Sequence, residues 1–188
     1  MNEHVDDDEH PNAGDDEKFR IAEALVVLGE RKAAVDLMRR AVSAARSSMP
    51  ATSRRRLRLL SRYGDILEST DGLAEAEFIR AEALELVEAA QLRTQDAVDA
   101  FLAYGLLLCK MHNYDGAIER LKETVRRAEE LDGIGELQQQ IILAQAWRSQ
   151  AQAFEELGEF SQASNALDAL MNVKRSLRFI VFSPSRGQ

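Results

Sequence analysis

A single cysteine, Cys109, excludes a disulfide framework and a thiolate zinc site built from this chain alone. Three prolines and ten glycines among 188 residues leave little material for turns, which argues against a many-stranded all-β architecture. No apolar run approaches the roughly 20 residues needed to span a membrane, so no membrane partner is expected. The opening MNEHVDDDEH is acidic and polar, the opposite of a secretory signal, and a cytoplasmic location is expected.

Catalytic signatures are also missing. No GxGxxG, Walker-type phosphate loop, HExxH or GxSxG occurs. Of three histidines, His4 and His10 lie in the acidic opening and His112 stands alone, and the Cys109 thiol has no sequence-evident base. HVDDDEH could gather a metal ion, but ordering free ligands costs entropy, and a solvated acidic segment is the simpler reading. The sequence therefore predicts a non-catalytic protein with no cofactor and no metal.

What is present is 45% hydrophobic and 30% charged, the balance of one globular domain or two small ones. The net charge of −8 is local. Residues 1–17 hold eight acids and no base, and the remaining 24 acids match 24 lysines and arginines. Residues 1–14, poor in apolar side chains, are expected to form a disordered acidic tail. From Leu37 to Gly64 there are eight arginines and no acid, and Lys174, Arg175, Arg178 and Arg186 stand in an acid-free C-terminal stretch. An acidic segment beside basic stretches suggests mutual neutralisation as readily as an external partner.

Four segments align on a small residue after a turn: Ala34, Ala76, Ala117 and Ala163, separated by 42, 41 and 46 residues. Each unit carries two helical stripes. In the third, Phe101, Tyr104, Leu108 and Met111 recur at three- and four-residue steps, then Ala117, Ile118, Leu121, Thr124 and Val125 repeat the pattern. The fourth follows with Trp147, Ala151 and Phe154, a turn at Gly158, then Ala163, Leu167 and Leu170. A near-constant period of helix pairs marks a stacked helical array. Eight helices are predicted at about 15–28, 31–47, 52–69, 73–91, 95–111, 114–131, 135–157 and 160–175, within the usual end error of two to four residues.

At these residues the chain resembles the tetratricopeptide repeat (TPR) family. Its pattern falls on Phe101, Tyr104, Gly105, Leu108, Ala117, Leu121 and Thr124; on Trp147, Gln150, Ala151, Phe154, Ala163, Leu167 and Leu170; and on Leu60, Tyr63, Gly64, Leu67, Ala76, Arg80 and Ala83. The first unit matches most weakly, through Lys18, Ile21, Ala22, Leu25, Ala34, Met38 and Ala41. Lys18, Arg80, Thr124 and Gln150 depart from the pattern. The period exceeds the usual 34 residues by about one turn in each helix, which resembles the long-repeat branch of about 42 residues found in kinesin light chains and bacterial TPR proteins. The resemblance implies an all-α α-solenoid of four hairpins over 15–175, wound as a right-handed superhelix with the first helix of each pair on its concave side.

The resemblance further implies protein–protein interaction, as an adaptor or assembly subunit that binds a partner segment on the concave face. The aligned groove positions give Arg58, Asp65, Leu102, Leu106, Lys110, Arg148 and Gln152 as partner-binding residues, with Asp99, Cys109 and Glu155 beside them. Phe19 and Glu23 stand where the family's carboxylate clamp needs Lys and Asn, which argues against a chaperone's acidic C-terminus as ligand. Two alternatives stay open: a regulatory, peptide-sensing module, and nucleic-acid binding through the Arg54–Arg62 stripe. The stripe lacks interleaved aromatics for base stacking, which disfavours nucleic acid. Finally, 176–188 is expected to be an apolar extension. Phe179, Ile180, Val181 and Phe182 would either fold back over the fourth repeat, the preferred reading, or dock on a partner or on a second copy as a homo-oligomer contact.

Overall fold

A computed structural model describes residues 13–182, with side chains placed from 14 to 180. The described residues form eight helices: α1 Ala13–Val27, α2 Arg31–Ser48, α3 Arg54–Ser69, α4 Leu73–Ala89, α5 Gln95–Lys110, α6 Tyr114–Glu130, α7 Glu136–Glu156 and α8 Phe160–Phe182. None of them is long and apolar enough to cross a membrane. The helices fall into two compact units, α1–α4 up to Leu92 and α5–α8 from Arg93. In the first, α1 packs on α2 and α3, α2 on α3, and α3 on α4; in the second, α5 packs on α6 and α7, α6 on α7, and α7 on α8.

The repeat is written into the backbone at each hairpin turn. Gly29, Asp71, His112 and Gly158 all have positive φ (83°, 64°, 59° and 75°), and they follow one another at the spacing of the aligned alanines. Beyond each, an amide reaches back to close the preceding helix: Glu30 to Leu25 O, Gly72 to Leu67 O, Asn113 to Leu108 O and Glu159 to Phe154 O, at 2.8–2.9 Å. These are the six-to-one bonds that satisfy orphan carbonyls at a helix end. Asp71 and His112 hold a conformation that usually falls to glycine, so the turn is imposed by the packing of the hairpin as well as by residue type. The returning helix then starts in register, with Ala34, Ala76, Ala117 and Ala163 all buried where the two helices meet. Ser53, Thr94 and Asn113 cap the helices that follow them through side-chain oxygens.

Helix ends agree with the sequence-based ranges to within two residues except at the last helix. There the predicted end near 175 is replaced by a helix that runs through Phe182. Nothing between Val173 and Phe182 breaks a helix; the next proline is Pro184, and β-branched residues cost a helix only tenths of a kcal/mol each, up to about 0.7. Arg178–Phe182 continue that helix, with Phe179 74% exposed and Ile180 half-buried, so Phe179 is not folded back onto the fourth repeat; the side chains of Val181 and Phe182 lie outside the described residues. The acidic tail was expected over 1–14; residues 1–12 of it, and 183–188 of the C-terminal extension, lie outside the described residues.

Candidate functional site

In the first unit the arginine-rich stretch is largely engaged inside the fold. Arg55 of α3 pairs with Asp15 in the first turn of α1 at 2.7 Å, Arg62 pairs with Asp16, and the Arg62 guanidinium lies 5.0 Å over the Phe19 ring. Arg56 reaches Glu82 of α4 at 2.7 Å, and Arg46 of α2 joins the same carboxylate. Burial would raise the Glu82 pKa, but the two guanidinium groups outweigh it and hold the carboxyl below its usual range. Arg39 pairs with Glu75, which also accepts from the Tyr63 hydroxyl; burial and then that carboxylate push Tyr63 up to about 12.

Two predicted binding residues lie in this unit. Arg58 is half-buried on α3. Asp65 is exposed, and one of its oxygens accepts from Arg80 at 2.6 Å. Arg80 explains its own departure from the repeat pattern. Its side chain is buried, and its guanidinium passes beside Gly64 to reach Asp65, Glu68 at 2.8 Å and the Ser61 carbonyl at 2.9 Å. A buried cation thus has three acceptors, which is what burial of a charge requires. The other departures resolve differently. Thr124 returns its hydroxyl to the Arg120 carbonyl within its own helix, whereas the Gln150 side-chain nitrogen is buried without a partner.

The remaining predicted residues lie in the second unit, on two helices that touch, α5 and α7. Leu102 is only 7% exposed and belongs to the core with Ile142, Leu143 and Ala146 of α7. Its sequence position reads as groove, but α7 packs over it. Leu106 and Cys109 are partly buried against the same core, and Lys110 is exposed one turn beyond Leu106. On α7, Ile141, Gln145, Arg148, Gln152 and Glu155 make a stripe of exposed residues at steps of three and four, so Arg148 and Gln152 share one solvent-facing side. At the other end of α5, burial and the neighbouring Asp96 raise the Asp99 carboxyl to about 6, against a hydrogen bond from Gln95. Of the predicted residues, Leu106 and Lys110 thus lie on α5 and Arg148 and Gln152 on α7, Leu102 is buried in the core of that unit, and Arg58 and Asp65 lie in the other unit. Among the described residues no group of three His, Cys, Asp or Glu converges to hold a metal ion.

Eight helices in hairpins of fixed register, turned on the same backbone motif and packed through aligned small residues, define a TPR-like helical-repeat protein. Solved structures share that fold. A chain from Podosopora anserina, named for the nearly identical TPR-like repeats of a kinesin light chain, matches with a TM-score of 0.58 at 13% identity, covering 94% of this chain and 100% of its own. BtubC (BKLC) from P. vanneervenii matches with a TM-score of 0.73 at 14% identity, over 91% of this chain and 67% of that one. A Rap protein complexed with Competence and Sporulation Factor matches at 0.54 and 22% identity over 85% of this chain, which spans about half (52%) of the Rap chain. No family profile matches the sequence. No curated protein matches it either. The fold is therefore the TPR-like α-solenoid that the repeat pattern implied, similar to that of kinesin light chain repeats.

Proposed function

We propose that the chain is a non-catalytic protein-interaction module that takes a partner segment along the α5–α7 face of its second unit. The observation that carries this reading is the composition of that face. Partly buried Leu106 and Cys109 offer apolar footing, and Lys110, Arg148, Gln152 and Glu155 surround it with long polar side chains. A mixed surface of this kind suits an extended or helical segment that brings an apolar anchor and carries charge at its edges. The Rap structure, solved with Competence and Sporulation Factor, supports the idea that a fold of this kind accommodates a bound factor. Leu102 contributes as part of the unit's core. The nucleic-acid reading loses support because Arg55, Arg56 and Arg62 have carboxylate partners within the chain.

The test is quantitative affinity capture with wild type, Leu106→Glu and Arg148→Glu, each first shown to keep its helical signal and melting temperature. A partner lost by both variants and kept by Arg39→Glu supports the reading. A partner retained by both variants moves the site elsewhere.

A further inference from the structure

Two helices leave open the positions that the internal helix joints bury. Within the first unit α2 packs on α3, and Met38, Val42 and Ala45 of the one and Leu59, Tyr63 and Ile66 of the other are all at most 3% exposed. Within the second, α6 packs on α7, and the aligned residues Leu121, Val125 and Ala128 of α6 and Ala146, Gln150 and Ala153 of α7 are again all buried. In the same register α8 presents Leu167, Met171 and Lys174, and α1 presents Glu17, Ile21 and Ala24. There the residues are uncovered: Leu167 is 43% exposed, Met171 50% and Ile21 45%, and Glu17, Ala24 and Lys174 are exposed as well. Positions that are sealed at the internal joints are thus open on α1 and on α8, and most are apolar rather than capped by charge, which repeat arrays otherwise need for solubility.

We infer that the α8 face of one copy of this chain docks on the α1 face of a second copy, repeating between chains the joint already made inside each unit. The internal joint supplies the register. Val125 clusters with Ala146, and Ile118 with Ala153, so the two helices run antiparallel. Transferred to the ends, this sets Glu17 against Met171, Ile21 against Leu167 and Ala24 against Ser164. Two unlike faces that meet in this way form a heterologous, head-to-tail contact, which closes into a ring or continues as an open chain. The α5–α7 face takes no part in it, and this inference stands or falls separately from the proposed function.

The experiment is sedimentation velocity on the full chain over a concentration series, joined to cysteine cross-linking in a Cys109→Ser background. Weight-average mass should rise with concentration above that of the monomer. Leu167→Glu with Met171→Glu should abolish the rise without lowering the melting temperature, because both side chains are exposed. An Ala24→Cys chain mixed with a Ser164→Cys chain should give a 24–164 cross-link, and neither alone should cross-link. A monomer at every concentration overturns the inference. So do 24–24 or 164–164 cross-links, which would mean a symmetric dimer. So does assembly that begins only when residues 183–188 are deleted, which would make those residues the occupant of the α8 face.

Discussion

The Arg80 guanidinium occupies the space that a side chain at Gly64 would need: a Cβ there would stand 2.7 Å from Cζ and Nε of Arg80. The next repeat has the same arrangement with a different filler, since a Cβ on Gly105 would meet Leu121 Cδ2 and Cγ at 2.8 Å. The small residue of the first helix therefore admits whatever stands at the aligned site of the second, and in one repeat that is a charge held by Asp65, Glu68 and a main-chain carbonyl.

Gly64→Ala should accordingly displace Arg80 and cost about 1–3 kcal/mol of stability, the range for overpacking a close contact. In a denaturation cycle, Gly64→Ala combined with Arg80→Ala should cost clearly less than the sum of the two single changes. Additive losses would show that the two side chains do not compete for the same space.

Gln150 predicts a gain. Its amide nitrogen is buried and unpartnered, so Gln150→Leu or Gln150→Met, which keep the volume and remove the polar atoms, should raise stability by about 1 kcal/mol. A loss in chemical denaturation with both variants would mean that the amide is satisfied in solution.

The contacts of α1 with α3 give a third outcome. Asp15→Asn with Asp16→Asn removes the acids opposite Arg55 and Arg62. Each pair contributes about 0.2–1 kcal/mol, so the double variant should melt earlier, and the gap should narrow at high salt. Faster amide exchange confined to α1 would locate the effect.

Asp99 predicts a pH dependence of definite sign. Its carboxyl titrates at about 6 in the folded chain, against about 3.9 in the unfolded one. Between those values the folded state holds the extra proton, so this group stabilises the fold as pH falls from 6 towards 4 and that contribution is lost as pH rises through 6. Asp99→Asn should remove this component, leaving a variant relatively more stable than wild type at pH 7 than at pH 4.5. An unchanged difference across that range would contradict the burial of Asp99.

The hairpin register was legible because it is local. The alanines, the turns and the large apolar residues recur at one spacing, and three- and four-residue periodicity fixes which side of each helix is buried. Leu102 was not, because a position on the outer side of α5 reads alike whether or not a helix 40 residues later covers it; Ile142 and Leu143 decide the matter. The role of Arg80 was hidden for the same reason, since its acceptors stand 12 to 19 residues earlier on a different helix. Near Phe179 a β-prone apolar run suggested an end to the helix, but with no proline or glycine before Pro184 the helix continues.

The central claim, that a partner lies along the α5–α7 face, is tested most directly by photo-crosslinking in cells. A photoreactive residue is placed at Lys110, at Gln152 and, as a control, at the exposed Glu85 of α4. The account predicts the same protein adduct from positions 110 and 152 and none from 85. Adducts from 85 alone, or equally from all three, would contradict it.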